Sequence, residues 1–389
     1  MTTTLIHSIG TLFLASDQTP VLARGAQLRT PATIADAYVL MEGDRIAAWG
    51  PMDHCPTHPV DARIDAQGGM VLPAWCDSHS HLVFAEPRAG EFVDKIKGES
   101  YETIARRGGG ILNSAQKLQA LPEEVLLERA LQRLHAVQRQ GTGALEIKSG
   151  YGLTVEAELK MLRVIRRLKA QANMPIKATF LGAHALPQAY QNNREGYLDL
   201  IIDQMLPQIA DEGLADYMDV FCEKVAFSAA ETDRLLEAGW RYGLTPKIHT
   251  NQFNSMGGIE TALQHNALSV DHLEVVNDAE LQLLAQADTI ATLLPSAPFF
   301  INDSYPPARA LVDAGTAIAL ASDFNPGSSP SGNMCFVVAL GCIKLRLLPE
   351  EALTAATLNG AYALELADEV GSIGAGKRAN LILTQPVLW

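Results

Sequence analysis

Two histidines of this sequence are spaced so that they could bind one metal ion together. An apolar segment at residues 70–76 runs into Asp77, Ser78, His79, Ser80 and His81. In an extended chain alternate side chains point to the same side, so His79 and His81 face the same way. Two imidazoles on one side of a strand can chelate a divalent ion.

Later apolar segments also end in residues that can bind a metal or move a proton. They are His184, His249, the pair Asp271 and His272, and the pair Ser322 and Asp323. One histidine at the end of a strand is usually an ordinary hydrogen-bonded residue, but so many together favour a metal site. Neutral imidazole and carboxylate suit zinc, and iron accepts them too. We therefore expect one zinc or iron ion bound by His79, His81, His249 and Asp323.

The segments that carry these residues are predicted to be the strands of a (β/α)8 barrel. Apolar β segments alternate with helical stretches, which is typical of a parallel sheet with helices outside it. One such helix, over residues 155–168, places Val155, Leu159, Leu162, Ile165 and Leu168 on one face, as core packing requires. The eight strand candidates are residues 70–76, 144–148, 176–181, 218–222, 246–249, 268–270, 290–294 and 317–321. Reactive groups of such barrels lie at the carboxyl ends of the strands, where these histidines and aspartates stand.

Both ends of the chain have the character of a smaller β domain. Residues 5–71 contain short β segments broken by turns, and β character returns at residues 370–383. We predict a composite β domain from residues 1–68 and 366–389, flanking a catalytic barrel at residues 69–365. Residues 381–389 are apolar for a free terminus, so we expect this small domain to be incomplete at its C-terminal end.

The composition excludes several classes of partner. With 389 residues and 48% hydrophobic content, the chain can form a barrel of roughly 250 residues and a smaller domain. The net charge of -14 without a basic stripe argues against nucleic acid. No apolar run approaches the roughly 18 residues that span a bilayer, and no signal peptide is evident, so we expect a cytoplasmic protein. The five cysteines show no CxxC spacing, which favours buried free thiols.

Longer blocks of the sequence resemble the imidazolonepropionases, a family of the metal-dependent amidohydrolase superfamily. The blocks are DSHSHLVF at 77–84 with Arg88, Glu91 and Phe92 after it, GGGI at 108–111, EIKSGYGL at 146–153, FLGAH at 180–184 and SDFNPGS at 322–328. They are spread over nearly the whole chain in the expected order. The glycines at 108–110 lack a following GK[ST], so a close-packed turn or a lid fits them better than a phosphate loop.

The resemblance implies a barrel enzyme that opens 4-imidazolone-5-propanoate to N-formimino-L-glutamate during histidine breakdown. It implies metal ligation by the four residues proposed above. It also implies contacts with substrate or product from Arg88, Tyr151, His184, Gln252, Asn325, Gly327 and Ser328. Gln252 stands where some relatives carry Glu, and a neutral amide cannot shuttle protons.

The expected mechanism needs a base, a second proton donor and a cation. Asp323 would accept a proton from the attacking water and pass it to the leaving nitrogen. His272 would hydrogen-bond that water or stabilise charge on the carbonyl oxygen. Arg88 would bind the propionate of the anionic substrate, at a mouth that we expect to be lined by Asp77, Glu86, Glu91 and Asp323.

Three other functions remain as alternatives. A nucleobase-type aminohydrolase would need a Glu three residues after His249, where this chain has Gln252. A two-metal cyclic amidase would need a bridging Lys or Glu near the end of strand four, for which only Glu223 and Lys224 are available. A metal-free scaffold barrel would have lost a ligand. The sequence leaves the oligomeric state open, a homodimer included.

Overall fold

Segments from both ends of the chain form a six-stranded sheet. The computed structural model of the protein describes residues 2–18, 20–99 and 109–385. The strands are β1 (Thr3–Phe13), β2 (Thr33–Glu42), β3 (Arg45–Pro51), β4 (Ala62–Asp65), β5 (Met70–Pro73) and β14 (Leu381–Leu383). Their order is β14-β5-β1-β2-β3, with β4 pairing in parallel with β1. Ile6, Ile9 and Leu12 of β1 are buried on this sheet. The division of the chain into domains at residues 68 and 366 stays a prediction.

Eight parallel strands form the second sheet, and they follow one another in chain order. They are β6 (Trp75–Asp77), β7 (Thr142–Lys148), β8 (Ile176–Ala183), β9 (Tyr217–Cys222), β10 (Thr245–Thr250), β11 (Ser269–His272), β12 (Ile290–Leu293) and β13 (Ile318–Leu320). The sheet closes just beyond the strand ends, where Asp323 N donates to His79 O at 3.0 Å and His81 N donates to Phe324 O at 2.8 Å. The predicted (β/α)8 barrel is confirmed.

The segment at residues 70–76, predicted as one strand, forms two strands in different sheets. Met70–Pro73 pairs with β1 and β14, whereas Trp75–Asp77 pairs with β7 of the barrel. Pro73 has no N–H to continue a ladder. Ala74, between the two strands, donates its N–H to Asn380 O at 2.8 Å. Strand β5 of the small sheet therefore leads directly into β6, the strand that precedes His79 and His81.

Helices outside the barrel connect successive strands. In the described residues they are α1 (Ala89–Ile96), α2 (Ile111–Ala120), α3 (Glu123–Arg139), α4 (Val155–Gln171), α5 (Arg194–Leu200), α6 (Leu206–Glu212), α7 (Ala229–Arg241), α8 (Gly258–Gln264), α9 (Asp278–Gln286), α10 (Ser296–Ile301), α11 (Ala308–Ala314), α12 (Met334–Ile343), α13 (Pro349–Ala356) and α14 (Leu358–Tyr362). Within residues 2–18, 20–99 and 109–385, no helix combines the length and the apolar character needed to cross a bilayer.

Helix α4 shows how local sequence fixes one of these elements. Thr154 caps its N-terminus by accepting a hydrogen bond from Ala157 N at 3.2 Å. Its apolar stripe packs on the barrel as predicted, with Leu159, Leu162, Ile165 and Leu168 buried. The stripe therefore belongs to the core and not to a binding surface.

The cysteines correct one expectation. All five are free thiols, and Cys76 and Cys222 are buried as predicted. Cys335 is exposed, although it stands in an apolar segment. Helix α12 is apolar on all sides, so the side of the helix that does not pack on the barrel also carries apolar residues.

Loss of a core side chain of α4 should destabilise the protein strongly. Leu162 is fully buried, so Leu162→Ala leaves a cavity and should lower the free energy of unfolding by about 2 to 5 kcal/mol. Arg166, on the exposed face of the same helix and only 3.6 Å from Glu212, offers the matched control. Arg166→Ala should cost less than about 1 kcal/mol. Urea unfolding followed by circular dichroism measures both, and equal losses would contradict the assignment of the faces.

Candidate metal centre

Three histidines of the barrel rim converge on one point, and Asp323 lies beside two of them. The Nε2 atoms of His81 and His249 are 3.3 Å apart. Asp323 Oδ1 lies 3.6 Å from the Nε2 atoms of both His79 and His81. Zinc binds histidine nitrogen at about 2.0–2.1 Å, and tetrahedral ligands at that radius are about 3.4 Å apart. The spacing and the donor types therefore fit one metal ion among these groups.

Hydrogen bonds behind the rings direct two of the histidines toward that point. His79 Nδ1 donates to Asp271 Oδ2 at 2.6 Å, and His249 Nδ1 donates to Asp219 Oδ2 at 2.8 Å. Because a carboxylate only accepts, the ring proton is assigned to Nδ1 and the lone pair to Nε2. Within the described part of the chain the buried His79 Nε2 has no hydrogen-bond partner. A metal ion would satisfy that nitrogen.

Burial keeps two of these rings in the neutral form that binds metals. It lowers the pKa of His79 well below the usual value, and the nearby Lys148 ammonium acts in the same direction. Burial also lowers the pKa of His81 well below the usual value, with a further contribution from His184. Both imidazoles are therefore free of competing protons at neutral pH.

A network of buried charges lies beneath the histidines, and the sequence analysis did not predict it. Lys148 Nζ lies 2.5 Å from Glu146 Oε1, 2.8 Å from Asp219 Oδ2 and 3.5 Å from Asp271 Oδ2. Lys247 Nζ binds the other oxygen of Glu146. We call Glu146, Lys148, Asp219, Lys247 and Asp271 the inner charge network; all five are fully buried. Charged residues within otherwise apolar strands were the signal that could have revealed it.

The network also explains how a lysine can stay charged inside the barrel. Burial alone would lower the pKa of Lys148, but attraction by the surrounding carboxylates, Asp219 foremost, raises it above the usual value. Burial alone would raise the pKa of Asp219, but His249 and Lys148 together hold it well below its usual range. The ammonium and the carboxylate therefore stabilise each other's charged forms.

His272 stands beside the proposed ligands on strained backbone. Its φ of 90° and that of Leu273, 68°, lie in the left-handed region that non-glycine residues rarely adopt. The ring centroid is 5.4 Å from that of His249. Burial would lower the pKa of His272, but the Glu274 carboxylate, 3.4 Å from Nδ1, outweighs it and raises the pKa. His272 therefore lies beside the predicted metal ligands, with a carboxylate near its Nδ1.

A cleft opens above these residues. It is lined by both apolar and polar side chains, as small-molecule sites usually are. Apolar residues form part of the wall: Ile111, Phe221, Phe253 and Ile301. The polar lining contains six of the seven predicted substrate residues: Arg88, Tyr151, His184, Gln252, Asn325 and Ser328. The structure thus brings three of the four predicted ligands and most predicted substrate contacts into one cleft, and the fourth ligand, His79, adjoins His249 with ring centroids 4.4 Å apart.

Arg88 is held in the cleft from several sides. Its side chain is 7% exposed, Nη1 donates to Ser114 Oγ at 3.2 Å, and Nε lies 3.2 Å from Glu91 Oε2. Gly327, the predicted contact that is not part of the cleft lining, lies against this guanidinium. A Cβ at position 327 would lie 1.6 Å from Arg88 Nη2. A side chain at 327 would therefore displace the guanidinium from its present position.

The prediction that acidic residues line the mouth of the cleft is largely wrong. Asp77 is buried beneath the rim, where it accepts hydrogen bonds from Ser322 N at 2.9 Å and Ser322 Oγ at 2.6 Å. Glu86 pairs with Lys117 at 2.6 Å, and Glu91 pairs with Arg88. Of the four acids, only Asp323 lines the cleft. Glu86 and Glu91 are each paired with a cation, and Asp77 is held by Ser322 below the cleft lining.

Asn325 shapes the loop that follows strand β13. Its Oδ1 accepts from Gly327 N at 2.8 Å and from Ser328 N at 2.7 Å, while Nδ2 donates to Asp323 O at 2.8 Å. Asp323 itself has a left-handed φ of 51°. The amide of Asn325 therefore fixes the turn that presents Asp323 to the histidines.

His184 and Tyr151 form the wall next to His81. His184 stacks on His81 with ring centroids 5.1 Å apart, and its Nδ1 donates to Gly150 O at 3.1 Å. Burial, followed by repulsion from His249, lowers the pKa of His184 to about 3. A neutral His184 with its proton on Nδ1 offers Nε2 as a hydrogen-bond acceptor. Tyr151 lies 5.3 Å away between ring centroids.

Glu223, one of the two residues available to bridge a pair of metal ions, is occupied elsewhere. Its Oε2 accepts from Phe253 N at 2.9 Å and Asn254 N at 3.2 Å, and Oε1 accepts from Asn254 Nδ2 at 2.8 Å. Lys224 is exposed. Glu223 therefore holds the loop at Phe253 and Asn254, whereas Lys224 faces solvent. This arrangement supports a single metal ion.

Two blocks of the sequence analysis reach the limits of the described residues. Gly108 of the glycine run lies outside them, as do residues 386–389 of the apolar C-terminal segment. Gly110 is described, and it donates its N–H to Glu91 Oε1 at 2.9 Å just before α2.

Solved structures share this fold at low sequence identity. A mutant atrazine chlorohydrolase from Arthrobacter aurescens, complexed with zinc and atraton, has a TM-score of 0.70 at 16% identity over 97% of this chain and 86% of that one. An adenosine deaminase from Xanthomonas campestris with bound zinc has a TM-score of 0.67 at 16% identity over 97% and 83%. At such identities the likeness shows the fold alone.

Sequence comparison is more specific. The amidohydrolase family matches residues 70–388. The imidazolonepropionase of Flavobacterium johnsoniae is 53% identical over 99% of this chain and 93% of its own length. That of Christiangramia forsetii is 51% identical over 99% and 94%, and that of Shewanella oneidensis is 44% identical over 90% and 86%. Matches of this identity and coverage confirm the resemblance, and the chain belongs to the imidazolonepropionase family of the amidohydrolases.

Proposed function

We propose that this chain hydrolyses the ring C–N bond of 4-imidazolone-5-propanoate, giving N-formimino-L-glutamate in histidine degradation. Relatives with 51% and 53% identity over 99% of the chain carry the name of that activity. The observation that carries the proposal is one cleft that holds both a cluster of metal-binding groups and a buried arginine. A hydrolytic centre beside a fixed cation suits a small cyclic amide with an anionic tail.

The metal ion would be held by His79, His81, His249 and Asp323. The Nε2 atoms of His81 and His249 are 3.3 Å apart. Asp323 Oδ1 lies 3.6 Å from Nε2 of His79 and 3.6 Å from Nε2 of His81. Three imidazoles and one carboxylate suit zinc and iron alike. The chemistry that the ion supplies when bound is Lewis acidity, which makes water a nucleophile at neutral pH.

Asp323 would accept the proton of the attacking water. Its side chain is 3% exposed, and burial raises the pKa of its carboxyl against the pull of His272 and His249. A raised pKa makes the carboxylate a better proton acceptor. The same group then returns the proton to the ring nitrogen as the C–N bond breaks, which balances the hydrolysis.

His272 would stabilise negative charge that develops on the carbonyl oxygen. The Glu274 carboxylate beside Nδ1 favours the protonated ring. A donor fixed by the protein and shielded from water is effective where charge develops during the reaction. The strained backbone at His272 and Leu273 supports this role, because strain of about 1 to 3 kcal/mol per residue is found mainly at functional sites.

The remaining residues of the cleft would bind the two ends of the substrate. Arg88 would take the propionate with its guanidinium. Hydrogen bonds from the ring and from the product would reach the other polar residues of the cleft: Tyr151, His184, Gln252, Asn325 and Ser328. Gly327 would act through Arg88, since it leaves room for the guanidinium.

Gln252 weighs against the aminohydrolase alternative. It lines the cleft three residues after His249, and a neutral amide cannot carry the proton that such chemistry passes through this position. The presence of all four metal-binding groups weighs against the metal-free scaffold. Cytoplasmic location and the lack of a nucleic-acid partner stay predictions, and a homodimer is left open.

An assay for N-formimino-L-glutamate formed from 4-imidazolone-5-propanoate tests the proposal directly. We expect turnover by the purified protein, abolished by a strong chelator and restored by zinc or iron. Release of ammonia from a nucleobase without turnover of the imidazolone would instead favour the aminohydrolase. Protein that binds metal and turns over neither substrate would refute the proposed substrate.

One metal ion per chain is the expected stoichiometry. Elemental analysis of protein purified without chelator should give close to one equivalent of zinc or iron. His249→Ala should lose most of it, because the site then has one ligand fewer. His265, which pairs with Asp233 at 2.8 Å outside the cleft, offers a control: His265→Ala should keep its metal. Two tightly bound equivalents would contradict the mononuclear site.

Asp323→Asn should reduce turnover while preserving the shape of the side chain. Loss of a positioned acid–base group typically costs about 100-fold or more in kcat. The comparison uses samples adjusted to equal metal content, so that loss of the base is separated from loss of the ion. A variant with full metal and nearly normal kcat would eliminate Asp323 as the base.

Arg88→Met should weaken catalysis on the propionate substrate selectively. Removing one partner of a buried charge pair costs about 2 to 5 kcal/mol, which at about 1.4 kcal/mol per factor of ten is a loss in kcat/KM of at least ~30-fold. An imidazolone lacking the carboxylate should lose far less. The control is Arg129→Met, since Arg129 bonds Ala85 O at 2.7 Å on the same loop without lining the cleft. Equal losses on both substrates would mean that Arg88 does not bind the carboxylate.

A further inference from the structure

Lys148 contacts the carboxylates that orient two different metal-binding histidines. Its Nζ lies 2.8 Å from Asp219 Oδ2, the oxygen that also accepts from His249 Nδ1. The same Nζ lies 3.5 Å from Asp271 Oδ2, the oxygen that also accepts from His79 Nδ1. One ammonium group therefore joins two carboxylate–histidine pairs that come from strands β9, β10 and β11 and from the segment that follows β6.

We propose that Lys148 is a positioning residue of the metal centre. Its ammonium couples Asp219 to Asp271 and thereby fixes the position of the His249 ring relative to the His79 ring. This inference rests on the metal centre of the proposed function and not on its substrate. Lys148 is too deeply buried to reach the cleft, since it is fully covered and is not part of the lining.

The two carboxylates depend on the ammonium to different degrees. Asp219 is fixed twice on His249, because Oδ1 also accepts from His249 N at 3.0 Å. Asp271 is held less firmly: among the described residues its buried Oδ1 has no hydrogen-bond partner. Without the ammonium, two buried negative groups would repel each other at close range. Asp271 would move first, and the ring of His79 would move with it.

Two effects of removing Lys148 on metal affinity have opposite signs. The ammonium is a cation near the proposed metal ion and repels it. Loss of the ammonium should therefore strengthen metal binding, because this Coulomb repulsion is removed. The loss of positioning should weaken binding, because outer partners of metal ligands typically contribute 10- to 100-fold in affinity. We infer that positioning dominates, since the carboxylates that lose their shared partner hold two ligands at once.

The sign of the change in Zn²⁺ affinity therefore tests the proposal. We expect Lys148→Met to bind Zn²⁺ at least ~10-fold more weakly than the wild-type chain in competition with a chromophoric chelator. Lys247→Met removes an equally buried ammonium whose contacts are Glu146 and the carbonyl oxygens of Ser78 and Ala363. This matched control should lose clearly less affinity.

Unchanged or tighter binding by Lys148→Met, or an equal loss in Lys247→Met, would overturn the proposal. So would a wild-type chain that binds no Zn²⁺. The cobalt-substituted proteins add a readout of ligand geometry, since the visible absorption of Co²⁺ should change in Lys148→Met and not in Lys247→Met.

A second set of variants keeps the proposal testable if Lys148→Met does not fold. Asp219→Asn and Asp271→Asn keep an oxygen for the histidine but remove the charge that holds the ammonium. If Lys148 couples them, the double variant should lose less Zn²⁺ affinity than the product of the two single losses. A loss equal to that product would show two independent pairs and refute the coupling. Failure of the imidazolone assay with these affinities intact would count against the substrate alone.

Discussion

Charge inside the barrel must be paired, and that constraint fixes the position of the metal-binding groups. Three carboxylates and two ammonium groups of the inner charge network are fully buried. Each would cost several kcal/mol to remove from water without a partner. The pairs can form only if neighbouring strands keep their register, since Glu146 and Lys148 come from β7, Asp219 from β9, Lys247 from β10 and Asp271 from β11. The paired charges beneath the histidines therefore leave these rings little freedom to move.

Much of the fold and of the site could be predicted from the sequence, because both depend on residue patterns that repeat every two to four positions. Alternation along a strand placed His79 beside His81, and the same period places Glu146 beside Lys148 and Lys247 beside His249. The partners of each charge could not be predicted. Which carboxylate meets which imidazole depends on the order and stagger of the strands around the barrel, and no local pattern contains that information.

Two expectations drawn from the sequence differ from the structure, and contacts between distant segments are the cause of both differences. Two acidic residues expected at the mouth are bound by partners from other segments, Glu86 by Lys117 of α2 and Asp77 by Ser322. The first strand candidate divides because Pro73 interrupts the ladder and Asn380, from the other end of the chain, binds the residue after it. Long-range contacts decide both cases.

The contact between Gly327 and Arg88 constrains the order in which relatives of this chain could change. While Arg88 keeps its present position, there is no room for a side chain at position 327. A lineage that lost the arginine first would be free to acquire a side chain at 327. That side chain would then fill the space of the guanidinium, so regaining the arginine would first require a return to glycine at 327. Loss of this cation would therefore be harder to reverse once the second change had occurred.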